Sequence, residues 1–282
     1  LTDILTPNPG IEQRRQLRIA PRRTFSFDVL LSQKGRRLME ALLFDWSARV
    51  WALPIWPDGQ LLPADVAPGA LQITLDTTPR DYVAGGVAII LQDASTYEVV
   101  AIDQVNASSI TLTNAALNTW KRGAAKIYPV RSARLTAWPA LTRHTDDYSS
   151  INPSFMVVDA CDWTTSIGSA SYRGQPVMEW RPNEVQDPSA TFDRLIVTTD
   201  PGTGVFAVQD LAGLSMPTMK HHYTTYGASD RDALRSALYA LAGRMNNVWV
   251  PTWNQDLIPV AQAPTGSQGI DMEWCGYTQF LA

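Results

Sequence analysis

The residues able to do chemistry are few and scattered. The 282-residue chain has three histidines, His144, His221 and His222, and two cysteines, Cys161 and Cys275. His221 and His222 are adjacent in a segment predicted to be a strand, so their side chains point to opposite faces and cannot share one metal. No HExxH and no Cys/His cluster with zinc spacing is present. His144-Thr145-Asp146-Asp147 puts a base beside two carboxylates, but without the alternating oxygen ligands of a calcium loop. Ser149 and Ser150 lie outside any GxSxG turn. Gly85–Gly86 and the run Asp200–Gly204 are glycine-rich, yet neither joins a strand to a helix with phosphate-cradling spacing. Asp159, Asp162, Glu179 and Glu184 are the carboxylates from which a glycosidase pair would have to be drawn, and nothing in their spacing selects two. The sequence therefore predicts no catalytic residue, metal or cofactor.

Composition narrows the partners. Net charge is −4, which argues against a phosphate-backbone binder. The local basic run Arg14, Arg15, Arg18, Arg22 and Arg23 reads as an extended arm pairing with acidic groups or carbonyls of a neighbour. Charged residues make up 18% of the chain, below the usual quarter, and there are ten Trp and nine Tyr. Low charge and many aromatics suit surfaces buried against other subunits. No apolar run has the length of a membrane span, so membrane insertion is not expected. Two distant cysteines form no disulfide framework, and free buried thiols suit assembly in a reducing cytoplasm.

The elements that position these residues include an apparent internal repeat. Arg22–Pro63 and Lys220–Pro259 follow the same order of strand, helix, strand and turn. An offset of 196 residues pairs Leu38 with Leu234 and Ala41 with Ala237. One inserted residue later, Pro54 pairs with Pro251 and Trp56 with Trp253. Phe25, Phe27 and Val29 alternate with polar residues, as in a half-buried strand. Ser32 is the expected first helix cap, with Leu38, Ala41, Leu42 and Trp46 facing inward. In the second helix Ser229 and Asp232 resemble a capping box, and Leu234, Ala237, Leu238 and Leu241 form the stripe up to Gly243. Return strands are expected at Val50–Ile55 and Val248–Thr252, each with a proline at an end or edge.

Between the copies, residues 64–130 read as short strands broken by turns, a small β-barrel or sandwich. Leu71, Ile73 and Leu75 are its first alternating set, and Trp120–Pro129 its last strand. Residues 131–219 read as a β-rich connecting region, with strands near Phe155–Val158 and Pro176–Trp180 and a hairpin turning at Asp200–Gly204. Strands are also expected at Asp271–Gly276 and Thr278–Leu281. The expected fold is α+β and β-rich: a duplicated strand–helix–strand unit around an inserted small barrel or sandwich. Its segments are an arm and first α/β unit (1–63), the insert (64–130), the connecting region (131–219), and a second α/β unit with C-terminal strands (220–282).

The order of these segments resembles the tail-tip and baseplate proteins of long-tailed bacteriophages, the siphophages. The resemblance lies in Glu12–Arg15 with Pro21–Arg23, the strand Thr24–Leu31, Trp51-x-x-Pro54-x-Trp56, Tyr128–Pro129 and Ala133-Arg134-Leu135. It continues through Arg181-Pro182-Asn183, Phe192-x-Arg194, Asp200-x-x-Thr203-Gly204, Gly243–Arg244 and Trp249-Val250-Pro251. It implies a structural virion protein, assembled in the host cytoplasm, that forms a ring or tripod and links the tail tube or hub to fibres. It also implies three or six copies and no catalytic residues. Arg14, Arg15, Arg18, Trp51, Trp56, Trp249 and Trp253 are the candidate interface residues. The alternative is a carbohydrate-binding receptor-recognition protein stacking sugars on Trp138, Trp163 and Trp180, with a cell-wall hydrolase behind it.

Overall fold

The computed structural model describes residues 2–5, 12–18, 20–93, 95–160, 163–185, 187–274 and 276. Cys161, Cys275, Asp162 and the expected strand Thr278–Leu281 lie outside them. Among the described residues the architecture is β-rich α+β, with two helices and antiparallel strands in several sheets. The chain divides into two compact units, Leu1–Ser166 with Thr225–Asn246, and Ile167–Thr224 with Asn247–Ala282.

The first unit opens with a hairpin of β1 (Thr2–Leu5) and β2 (Gln13–Gln16). The alternating Phe25–Val29 run becomes two strands, β3 (Thr24–Ser26) and β4 (Val29–Ser32), which enter different sheets. The reason lies in the partner chain segment. β13 (Tyr148–Ile151) and β14 (Ser154–Val157) break at Asn152–Pro153, opposite Phe27–Asp28, and Asn152 donates to the Asp28 carboxylate at 2.7 Å. β13 pairs with β4, and also with β12 (Leu141–Arg143); β14 pairs with β3.

Helix α1 (Gln33–Asp45) follows Ser32, which sits at the cap position but makes no side-chain capping bond. Its inward face differs from the expected one. Leu38 is 60% exposed, Ala41 and Trp46 are exposed and Phe44 is 94% exposed. Met39 and Leu43 instead line a groove of about 160 Å³ with Phe27, Trp51, Leu53 and Phe155. No residue of α1 is buried. A helix gains most of its stability by burying one face, and α1 has done so only in part.

β5 (Trp51–Pro54), a 3-10 turn at Trp56–Asp58 and β6 (Gln60–Leu61) lead into the all-β region. There β7 (Gln72–Thr74), β8 (Val87–Leu91), β9 (Tyr97–Asn106), β10 (Ser109–Leu112) and β11 (Lys126–Leu135) lie in the order β7-β10-β9-β8-β11. Residues 60–75 bond to β11 at their start, where Leu61 faces Lys126, and to β10 at their end, where Ile73 faces Ile110. Between them Leu62 N–H bonds Ala125 O, and Val66 bridges Trp120. The main core fills this region: Leu62, Val66, Ile73, Leu75, Ile90, Ile102, Ile110, Trp120 and Ile127 are all buried. Leu71, expected to join them, is 56% exposed.

β11 carries the architecture further. Its first half pairs with β6 and β8, its second with β5 and β14. The boundary expected at residue 130 thus falls inside one strand, and the insert shares β11 with the sheet around Leu53, Ala133 and Phe155. Helix α2 (Gly227–Leu241) also belongs to this unit. It begins at Gly227, two residues before Ser229, and Asp230 accepts from Tyr226 N–H at 3.1 Å. Its stop is left-handed Ala242 (φ 48°), one residue before Gly243. Ala237 is buried, while Leu238 is 58% exposed.

The second unit consists of short pairs: β15 (Ser171–Tyr172) with β16 (Gln175–Pro176), β17 (Ser189–Asp193) with β20 (Met216–Lys220), and β18 (Ile196–Thr199) with β19 (Ala207–Asp210). The Asp200–Gly204 turn joins β18 to β19, and Asp200 accepts from Gly202 N–H at 2.8 Å. The expected strand Val248–Thr252 is reduced to one bridge, Trp249 with Val177, and the region near Asp271 to a bridge of Met272 with Pro259. The second helix therefore lacks the flanking strands of the first. Backbone pairing there needs a neighbouring strand in register, and the ribbon β17–β20 pairs within itself instead.

Two tests follow from the first unit. A Cβ on Gly59 would lie 2.1 Å from a ring atom of Tyr128, so Gly59→Ala is expected to cost about 1–3 kcal/mol in denaturant unfolding. Glu98 is buried and pinned: burial raises its carboxyl pKa, but the N–H groups of Leu117 (2.6 Å), Trp120 (2.8 Å) and Asn118 (3.1 Å) outweigh it and hold the pKa low. A folded pKa below the unfolded one gives stability that is present above the unfolded value, about 4.3. That stability is lost as pH falls through the folded value. Thermal melts from pH 6 downward should show this loss, and Glu98→Gln should start less stable and lose less.

Candidate functional site

Besides Glu98, two carboxylates are sealed inside the first unit, Asp58 at 1% exposure and Asp81 at 3%. A buried carboxylate survives only if paired and hydrogen-bonded. Asp58, at the end of the 3-10 turn, accepts from Arg231 Nη2 at 3.1 Å, Arg235 Nη1 at 3.3 Å and Asp81 N–H at 3.1 Å. Asp81, in the loop between β7 and β8, accepts from Arg23 and, in a two-pronged contact, from Arg131 of β11. Arg235 also donates to Pro79 O at 3.2 Å and stacks its guanidinium 3.5 Å above the Trp163 ring centre. The Trp163 indole in turn donates to Asp232 at 3.1 Å.

This hub explains two residues that the sequence pointed elsewhere. Arg23, read as part of an arm for a neighbour, pairs within its own chain. Trp163, read as a sugar platform, has one face covered by Arg235. The hub's guanidiniums outnumber its two carboxylates, and Arg23 Nε, Arg23 Nη2, Arg231 Nε and Arg235 Nε are buried without a hydrogen-bond partner. No sequence motif announces the hub, because its charged members come from five separate stretches. The one local signal was an acidic residue directly after Pro79–Arg80, in a segment otherwise rich in apolar strands.

The other candidate residues are distributed. Arg14 is half-buried and bonds Glu12 at 2.8 Å, and Glu12 also meets Arg244 at 3.4 Å. Arg15 and Arg18 are exposed. Trp51 packs edge-on against Phe155 at 5.6 Å, and Trp56 packs edge-on against Tyr128 at 5.1 Å while remaining exposed. In the second unit Trp249 meets Tyr172 at 5.4 Å and donates to its carbonyl at 2.9 Å. Trp253 has a left-handed backbone (φ 60°) and lines a cavity of about 230 Å³ with His221, Glu184 and Met219. Trp138 is 75% exposed, and Trp180 is half-buried.

The candidates for chemistry stay apart. His144 shares a 2.8 Å contact with Ser150 Oγ at an exposed hairpin. Asp159 accepts from Ser132 N–H at 2.8 Å and borders a crevice of about 460 Å³ where β11 changes neighbours from β8 to β14. Asp159 is the only carboxylate lining that crevice among the described residues. Among the described residues no three His, Cys, Asp or Glu side chains cluster as metal ligands, and no helix is long and apolar enough to cross a membrane.

Unmet apolar surface is the property most widely shared. Leu30, Leu38, Phe44 and Trp46 are exposed along and beside α1. Among the described residues of the second unit only Ile167, Pro182 and Gly276 are buried, and every residue of β17 to β20 is exposed. No protein-family model and no curated protein matches the chain.

The hub gives the site its test. Asp81→Ala leaves Arg131 and Arg23 facing each other without their counter-ion. The expected cost is about 3–5 kcal/mol, read as a lower midpoint in urea. Asp146→Ala, in an exposed contact with Arg143, should change stability by less than about 1 kcal/mol.

Proposed function

We propose that this chain is a structural component of a bacteriophage tail tip or baseplate and not an enzyme. It forms a ring or tripod of three or six copies that links the tail tube or hub to fibres, in a virion assembled in the host cytoplasm. The observation that carries this reading is the second unit: a stretch of strands with almost no buried residue and with Phe192, Val205, Phe206 and Leu214 exposed. Isolated two-stranded ribbons are marginally stable in water, and apolar patches of this kind mark surfaces made for partners. Exposed Phe44 and Leu38 on α1 support the same reading, as does the resemblance along Trp51-x-x-Pro54-x-Trp56 and Trp249-Val250-Pro251.

In this reading the first unit is the rigid body. The all-β region closes as a small barrel through residues 60–75, which reach β11 at one end and β10 at the other. Helices α1 and α2 give each copy two contact surfaces, so three copies offer six. Arg15 and Arg18 remain exposed for a neighbour. Exposed Trp138 favours, as a second reading, a sugar-stacking surface on the same scaffold.

Negative-stain imaging and mass measurement of the purified chain, alone and with tail-tube, hub and fibre proteins, test the proposal. Rings of three or six copies, or a stable complex with one of those proteins, are expected. A monomer that binds none of them would sink the reading. A glycan array with binding lost on Trp138→Ala would transfer weight to the sugar-binding alternative.

A further inference from the structure

The cavity bordered by Trp253 and His221 lies wholly within the second unit. One side is the start of β17 and the end of β20, where Ala190 faces Met219. Residues 252–254 form another side, and the exposed Glu184 completes the wall. Two of these residues are unusual. Trp253 has φ 60°, a left-handed backbone that a bulky residue adopts only where its surroundings hold it. The Thr252 hydroxyl donates to Asp256 across that step. The Trp253 indole N–H is buried without a hydrogen-bond partner among the described residues, and so are both ring nitrogens of His221. Buried polar groups are nearly always satisfied, and each exception calls for a cause. Here a strained backbone and three unmet nitrogens fall on two residues of one cavity.

We propose that this cavity is a binding site for a single neutral sugar ring. The donors and acceptors of the wall select the ligand. An indole N–H only donates, an ionised carboxylate only accepts, and an imidazole carrying one proton does both. Glu184 gives Oε1 to Arg181 at 3.2 Å, which leaves Oε2 for a ligand. An anion would be repelled by Glu184, and a cation would leave the Trp253 N–H unmet. A hydroxyl donates and accepts at one atom, so a ring carrying several of them matches all three side chains. Pro188, Ala190 and Met219 supply apolar wall for its C–H groups. Pockets for drug-sized ligands hold about 300–1,000 Å³. The smaller volume here, about 230 Å³, suits one ring.

Binding makes one structural demand. The three nitrogens lie beneath the cavity surface, so the His221 and Trp253 rings must turn to present them. A buried donor left unmet is costly, and a ligand with hydroxyls removes that cost. The site asks nothing of a neighbouring copy, so it stands apart from the assembly reading. It also lies in a different unit from Trp138.

The test is saturation-transfer NMR on the full chain with glucose, galactose, rhamnose and N-acetylglucosamine. Tetramethylammonium, inorganic phosphate and N-methylacetamide stand for a cation, an anion and an amide. At least one sugar should bind at millimolar concentration, and the three controls should not. Trp253→Phe keeps a ring and removes the N–H, and should weaken that sugar about tenfold. Glu184→Ala should weaken it at least as much, because a charged acceptor is lost. Glu184 is exposed, so this variant should melt like the wild type, and Trp138→Ala should bind like the wild type. No sugar signal, or one indifferent to both cavity variants, would overturn the site. Binding lost on Trp138→Ala would place the sugar on the first unit and overturn it as well. A control that binds in place of the sugars, and is lost with Trp253→Phe, would overturn the ligand class.

Discussion

Two buried carboxylates set the arrangement of the first unit. Asp58 and Asp81 are adjacent in space, linked by the Asp81 N–H, and each is faced by two guanidiniums. Through them the turn after β5, the β7–β8 loop, β11, the entry segment at Arg23 and helix α2 meet at one point. Asp58 and Arg231 are 173 residues apart in the chain. Charge buried at this density contributes little net stability, since desolvation offsets most of the attraction. Its effect is on arrangement. Any packing that moved α2 away would leave Asp58 uncompensated, so the hub selects one placement of the helix over others that bury a similar area.

The second constraint is the division of labour along β11. Its ten residues serve the all-β core on one half and the sheet around Phe155 on the other, changing partners at Arg131–Ser132. Arg131 reaches Asp81 from that step, so the change of neighbours and the hub are set by the same residue. Among its described residues the second unit has no counterpart to either device. Its pairs are short, its ion pair Arg194–Asp210 is exposed, and its apolar side chains face outward. The contrast between a unit with a core and one with almost no buried residue among those described is what supports the proposed assembly.

Much of the local structure was legible in the sequence. The strands of the all-β region, the hairpin at Asp200–Gly204 and both helices follow from periodicity and turn residues. Where expectation and structure part, the cause is tertiary. The Phe25–Val29 alternation is a good strand pattern, yet Pro153 in the opposing segment breaks its partner and splits it in two. Leu38 and Leu42 satisfy helical spacing, but Met39 and Leu43 are the α1 residues that line the groove with Trp51 and Phe155. The return strand at Val248–Thr252 has the right composition and lacks a ladder to join beyond Val177.

The sequence by itself determined that reactive side chains are sparse, that strands dominate, and that apolar and aromatic residues exceed what charge would shield. These are properties of composition and short-range pattern, carried by each residue wherever the chain goes. Only the tertiary structure decided which arginines are spent internally and which remain exposed, and which tryptophans are covered. Those outcomes depend on contacts between residues 50 to 177 positions apart, and no local pattern records them. Arg23 and Arg18 look alike in the sequence; one is sealed against Asp81, and the other faces solvent.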